Sequence, residues 1–247
     1  MIRFEHVRHS YGSRVAVADL TLTVPRGELF ALLGPNGAGK TTTIKMLVGL
    51  LRPDAGQVYV ASHDALASPR EAVQAVGYVP DEPFLYEKLS GREFLEFVAE
   101  MRGLSRTQVA EQVARQSAAF ELDGFLDDLT ESYSHGMKQR LVFAAALLHD
   151  PAVLVIDEPM VALDPHSTRL VKDLLRERTR AGTTVFMSTH MLALAEEIAD
   201  RIAILNRGQL MFLGTLAELQ RESACPQAAL ESLFLDLTRS AASAAKP

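Results

Sequence analysis

The chain has 247 residues, 48% hydrophobic and 23% charged, enough to bury one large core or two small ones. Its 25 Lys and Arg against 31 Asp and Glu leave a formal charge of −6, which argues against a general nucleic-acid binder with a basic face. Cys225 is the only cysteine, so an internal disulfide framework and a cysteine-rich zinc site are excluded, and a reducing, cytoplasmic setting is expected.

The longest apolar run, residues 141–148, falls far short of the roughly 20 residues that cross a bilayer. Charges in Met1-Ile-Arg-Phe-Glu-His-Val-Arg occupy the place where a signal peptide needs its apolar stretch. Any membrane role is therefore expected to come through a partner.

In chain order, residues 29–33 (LFALL) read as a buried strand that opens onto a glycine-rich loop, with a helical pattern over 42–48. From about 90 to 148 the pattern turns helical and strand runs disappear. Ser90-Gly-Arg-Glu93 and Ser105-Arg-Thr-Gln108 fit the capping box there, where a hydroxyl and a Glu or Gln satisfy the first free amides of a helix. Residues 153–156 (VLVI) and 183–187 (TTVFM) are two further buried-strand runs. Segments 201–205 and 209–212 flank an Asn206-Arg207-Gly208 turn and predict a hairpin. After a third capping box, Thr215-Leu-Ala-Glu218, residues Leu230, Leu233, Phe234 and Leu237 follow helical spacing, and 240–247 read as a frayed tail. Apolar runs alternating with helices predict an α/β protein with a mainly parallel sheet.

The loop Gly34, Pro35, Asn36, Gly37, Ala38, Gly39, Lys40, Thr41 and Thr42 satisfies G-x-x-x-x-G-K-S/T between strand and helix. Glycines let the backbone curl so that consecutive amides point at phosphate oxygens, and the helix N-terminus adds positive charge. Lys40 is expected to reach the β- and γ-phosphates, and the Thr41 hydroxyl to bind Mg²⁺. The run 153–156 ends in Asp157-Glu158-Pro159. An acid at such a strand tip suits Mg²⁺, through water, and the next one suits a general base that polarises the attacking water. His190 follows the third strand in Met187-Ser-Thr-His190; taken alone it reads as a cap or surface residue. His6 and His9 do not match a metal-site spacing and are treated as structural. Pro83-Phe84-Leu85-Tyr86 is apolar in an expected surface loop. It either fills the core of the helical segment or offers a groove to a partner helix.

Together these residues resemble the nucleotide-binding subunit of an ATP-binding cassette (ABC) transporter, over nearly the whole chain. The motifs stand in that family's order: Tyr11, the phosphate loop, Gly77-Tyr-Val-Pro, Tyr133-Ser-His-Gly-Met-Lys-Gln-Arg140, Asp157-Glu158, Ala162-Leu-Asp164-Pro and His190. The resemblance implies a P-loop NTPase core with a mainly parallel sheet, an N-terminal antiparallel β subdomain and an inserted helical subdomain. It implies a cassette over 1–222, with the helical subdomain at about 90–148, and a C-terminal amphipathic helix and tail over 223–247. Tyr11 is implied to stack on adenine, and Ser134 and Gly136 to cap the γ-phosphate of the opposite subunit. Asp164 is implied at the subunit interface, and His190 to contact the γ-phosphate and position Glu158.

ATP hydrolysis with Mg²⁺ by a homodimer or pseudo-dimer, coupled to a membrane-spanning permease on the inner face of the membrane, follows from the resemblance; no nucleic acid does. The Tyr-Ser-His-Gly-Met variant of the signature, which lacks the usual glutamine at Met137, leans toward export. Asp81 replaces another usual glutamine. It is expected to act as a conditional Mg²⁺ ligand, with Glu82 in its place if the loop register shifts by one, or both acids are solvated loop residues. Two other classes remain: a soluble cassette acting on DNA or ribosomes, for which coiled-coil insertions and tandem cassettes are lacking, and an ATP-binding module without turnover, against which Glu158 and His190 speak.

Overall fold

A computed structural model of the chain describes residues 1–158, 160, 163–223 and 228–243, with side chains as far as Thr238. Cys225, Pro159 and Ala162 lie outside the described residues, as do 244–247 of the tail.

The elements run β1 (Ile2–Tyr11), β2 (Arg14–Val24), β3 (Leu29–Leu33), α1 (Lys40–Leu47), β4 (Ala55–Val60), β5 (His63–Asp64), α2 (Pro69–Gln74) and β6 (Val76–Val79). Then come α3 (Gly91–Met101), α4 (Arg106–Ala119), α5 (His135–Leu147), β7 (Val153–Asp157), α6 (Pro165–Arg180), β8 (Thr184–Thr189) and α7 (Leu192–Ile198). The chain closes with β9 (Arg201–Asn206), β10 (Gln209–Gly214), α8 (Leu216–Glu222) and α9 (Leu230–Ser243). Helix α9 continues through Ser243, so the tail predicted to fray from 240 is helical for four residues more than expected.

Two sheets organise the fold. An antiparallel sheet has the order β2-β1-β4-β5, and a mainly parallel sheet has the order β10-β9-β3-β8-β7-β6, antiparallel only at the β9–β10 hairpin. The α/β architecture with its N-terminal antiparallel sheet is thus as expected. Strands β3, β7 and β8 are buried along their whole length because both faces of the sheet are covered, which is why they read as continuous apolar runs. Leu29, Ala31 and Leu33 pack into one core, and Phe30 and Leu32 into the other. Strand β8 extends past Met187 through two polar residues that find partners inside. Ser188 donates to Asp157, and the Thr189 hydroxyl accepts from the Met191 amide at 3.0 Å.

The capping boxes start α3, α4 and α8. Ser90 N–H donates to Glu93 at 2.8 Å, Ser105 N–H to Gln108 at 2.9 Å and Thr215 N–H to Glu218 at 2.7 Å. Leu230 and Leu233 of α9 are buried in the core that α5 and β3 share, with Phe234 and Leu237 packed beside them. Asp150, between α5 and β7, accepts from Gln112 and Arg115 of α4 and from Arg178 of α6, which ties the helical stretch to the sheet layer.

Candidate functional site

Register in the parallel sheet brings four strand ends level. Leu33 of β3 stands beside Thr189 of β8, Ser188 of β8 beside Asp157 of β7, and Ile156 of β7 beside Val79 of β6. The residues that follow these strands therefore converge at one carboxyl edge, where open α/β sheets bind ligands.

After β3 the loop makes its turns on glycine. A Cβ at Gly34 would stand 2.5 Å from the Leu205 carbonyl oxygen, and one at Gly39, which has φ 109°, 2.5 Å from that of Ala16. Only a residue without Cβ fits either place. The first N–H groups of α1 have no acceptor within the helix, and their residues Lys40, Thr41 and Thr42 line a cavity of about 690 Å³. Lys40 is buried; its Nζ donates to the Gly34 carbonyl at 2.7 Å and stands 3.9 Å from Glu158 Oε1.

Glu158 is a non-glycine residue at φ 52°, a conformation that costs roughly 1–3 kcal/mol. The structure holds it from several sides. Its N–H donates to the Ser188 carbonyl at 3.1 Å, and its Oε2 meets His190 Nδ1 at 2.8 Å and accepts from the His190 amide at 3.2 Å. The buried neighbour Asp157 accepts from the Ser188 hydroxyl. Asp81, just past β6, lines the cavity too. Its pKa is raised by burial and by the negative charges of Asp157, Glu158 and Glu82, against a smaller opposing pull from His190. Burial, with Asp157 and Asp81, also pushes the Tyr78 hydroxyl up to about 12.

Of the residues singled out in the sequence, Tyr11, Asn36, Gly37, Ala38, Gly39, Lys40, Thr41, Thr42, Asp81, Glu158 and His190 line this one cavity. Gly34 carries the carbonyl that Lys40 binds, and Asp157 sits beneath Glu158 in the strand. Two lining residues were missed, Arg14 and Ala16. The two-residue Gly12-Ser13 turn, which pairs Tyr11 with Arg14, is the signal that marks Arg14. His6 and His9 have separate neighbours: His6 Nδ1 is 3.2 Å from Asp19, and the buried His9 ring meets Tyr11 edge-on at 4.8 Å.

Ser134, Gly136 and Asp164 are not among the residues that line the cavity in this chain. Ser134 caps α5, its hydroxyl accepting from the Met137 amide at 3.3 Å. The nearest atom to a Cβ built at Gly136 is a Leu163 methyl, 3.9 Å away. The Met137 side chain packs on the core, so this departure from the usual signature serves packing. Asp164 caps α6; the Ser167 hydroxyl and amide and the His166 amide hold its carboxyl down to about 2.

The apolar tetrapeptide divides. Leu85 is buried in the core while Phe84 is 75% exposed. Phe84 borders a groove of about 860 Å³ with Val73, Tyr86, Phe97 and Met101, so the core-filling expectation holds for Leu85 alone.

The ABC transporter family model matches residues 17–161. The Linearmycin resistance ATP-binding protein LnrL of Bacillus subtilis (strain 168) is 35% identical over 219 residues, covering 89% of this chain and 70% of that protein. The Daunorubicin/doxorubicin resistance ATP-binding protein DrrA of Streptomyces peucetius is 39% identical over 210 residues, covering 85% of this chain and 64% of that one. A solved ATP-binding subunit of an ABC transporter superposes with a TM-score of 0.91 at 32% identity, covering 96% of this chain and 99% of that structure.

Proposed function

The chain belongs to the ABC transporter family, and from that premise we propose that it binds ATP with Mg²⁺ and hydrolyses it to energise a membrane-spanning permease. One observation carries this reading: Lys40, Glu158 and His190 come from the ends of three adjacent strands to one cavity, with Glu158 fixed 2.8 Å from the imidazole.

In this reading the amides of Asn36 to Thr42 and the Lys40 ammonium hold the phosphates, and Tyr11 stacks on the base. Glu158 accepts a proton from the water that attacks the γ-phosphorus, as the bond from phosphorus to the ADP oxygen breaks. His190 holds Glu158 in line through its Nδ1 contact and faces the γ-phosphate. Hard oxygens from Thr41, Asp157 and Asp81 suit Mg²⁺, and the raised pKa of Asp81 supports the fit, because a divalent cation relieves the crowding of like charge. Bound there, Mg²⁺ supplies charge neutralisation for the phosphates.

A second cassette, identical or related, completes the site. Ser134 and the start of α5 approach the γ-phosphate from that partner, with Asp164 at the interface, and closure on ATP drives the permease. The division into a cassette over 1–222, with an inserted helical part at about 90–148, and a C-terminal helix over 223–247 belongs to the same reading. No helix among the described residues is long and apolar enough to cross a membrane. We place the chain on the inner face of the membrane through its permease, with the Phe84 groove taking a short apolar helix of that partner. The resistance named for two relatives supports export.

The test is nucleotide titration and ATPase assay of the wild type beside Lys40→Ala. Wild type is expected to bind and turn over ATP, and the variant to lose tight binding. Unchanged affinity in the variant sinks the assignment.

A further inference from the structure

The antiparallel sheet leans on the phosphate loop through β2. The Ala16 carbonyl sets the closest approach: it lies 2.5 Å from a Cβ built at Gly39 and 2.7 Å from one built at Gly208. Ala18 N–H and Gly208 N–H lock the arrangement, donating to the Gly208 and Ala38 carbonyls at 2.8 and 2.9 Å. Arg14 is two residues upstream of Ala16, hence on the same face of the strand. Its guanidinium reaches the tip of the loop, 3.1 Å from a Cβ built at Gly37. Hairpin pairing sets it directly opposite Tyr11. Asp54 anchors that end of the sheet by accepting from the Ser10 amide at 2.7 Å.

Among the described residues no acceptor meets the Arg14 guanidinium, although it borders the cavity that Lys40 and Glu158 share. The Lys40 ammonium is already divided between the Gly34 carbonyl and Glu158. Around the cavity, Arg14 and Lys40 balance Asp81 and Glu158, so without Arg14 the walls facing a polyanion carry a net negative charge.

We propose that Arg14 is a phosphate ligand of the nucleotide site, closing on the polyphosphate from the hairpin side while the loop amides and Lys40 hold it from the other. A planar guanidinium with several donors matches phosphate oxygens in pairs, which an ammonium does not. The inference rests on the nucleotide reading of the cavity and adds to it a residue outside the loop motif. Arg14 is exposed and leaves the catalytic pair Glu158 and His190 untouched, so it acts on affinity.

The experiment measures ATP affinity of the wild type, Lys40→Ala, Arg14→Ala and Arg14→Lys at low and high salt. Arg14→Ala is expected to weaken binding about tenfold at low salt and to make it less salt-sensitive, with Arg14→Lys recovering part of the loss. Thermal unfolding of the variants is expected to match the wild type. If the wild type binds no ATP, the nucleotide reading itself falls. If Lys40→Ala loses ATP while Arg14→Ala binds within about twofold of wild type with the same salt dependence, only the Arg14 assignment is overturned. A loss that Arg14→Lys does not relieve at all overturns the charge contact as well.

Discussion

His190 meets Glu158 twice through one carboxylate oxygen, with ring Nδ1 at 2.8 Å and the backbone N–H at 3.2 Å. The carboxylate thus has its rotamer set by a residue just past the end of the adjacent strand, although its own backbone sits in the left-handed region.

Glu158→Gln keeps the shape and an oxygen for the His190 amide but removes the proton acceptor. ATP binding is expected to persist while turnover falls by about 10²- to 10⁴-fold, or roughly 3–5 kcal/mol of barrier. Size-exclusion with ATP should show a larger species than for wild type, because the closed dimer outlives its nucleotide cycle. A wild-type rate would remove Glu158 from the role of base.

For Asp81, whose pKa is raised by burial and by Asp157 and Glu158, the expected effect is on Mg²⁺ dependence. Asp81→Asn lowers the negative charge near the phosphates, so binding of metal-free ATP should strengthen and the Mg²⁺ requirement of the ATPase should shift. Glu82→Gln serves as the comparison. If neither variant moves the Mg²⁺ titration, the loop has no metal role.

Phe84 and Leu85 separate surface from core within two residues. Phe84→Glu should leave stability within about 0.5 kcal/mol, yet uncouple ATP hydrolysis from transport in the assembled system. Leu85→Ala should cost roughly 2–5 kcal/mol by opening a cavity. A large drop in thermal stability for Phe84→Glu would show the ring to be structural.

His149 carries a pH dependence that has nothing to do with nucleotide. Burial first, and the Arg102 charge second, hold its imidazole down to about 4 from 6.5, and its Nε2 faces the Val76 carbonyl at 3.1 Å. The folded protein therefore keeps His149 neutral in a range where the unfolded chain takes up a proton. Stability contributed by the neutral ring is whole above pH 6.5 and drains away as pH falls toward 4, by roughly 3 kcal/mol at most. In His149→Gln the urea midpoint should change less between about pH 7.5 and about pH 5 than in wild type. Equal pH sensitivity in both proteins would assign the effect elsewhere.

What the amino-acid sequence discloses of this site is the part written in short contiguous runs. The glycine-rich loop needs its neighbours at fixed offsets, and an apolar strand ending in Asp157-Glu158 announces itself through burial on both sides. Ala16 escaped because its place depends on how one sheet leans on another, which no local period records, and Arg14 because only the short Gly12-Ser13 turn points to it. Strand β6 was hidden by Gly77, whose missing Cβ leaves room for the α5 backbone: a Cβ there would stand 2.2 Å from the Ala146 carbonyl oxygen. Met137 read only as the absence of the usual glutamine, and its packing on the core is visible only once α5 is set on the sheet.

The order β3-β8-β7 has a further consequence, for assembly in time. Strands β3 and β7 are not hydrogen-bonded to each other; β8, which is made later than either, lies between them. Until β8 lies between them, the loop lysine and the acids at the end of β7 have no fixed separation, and His190, one residue past β8, cannot brace Glu158. The cavity therefore needs the whole order β3-β8-β7 in place before its lining residues stand at fixed distances. During synthesis the phosphate loop therefore leaves the ribosome with β2 already made but well before β8 and His190. A nascent chain stopped short of Thr184 would carry the complete loop motif without a site.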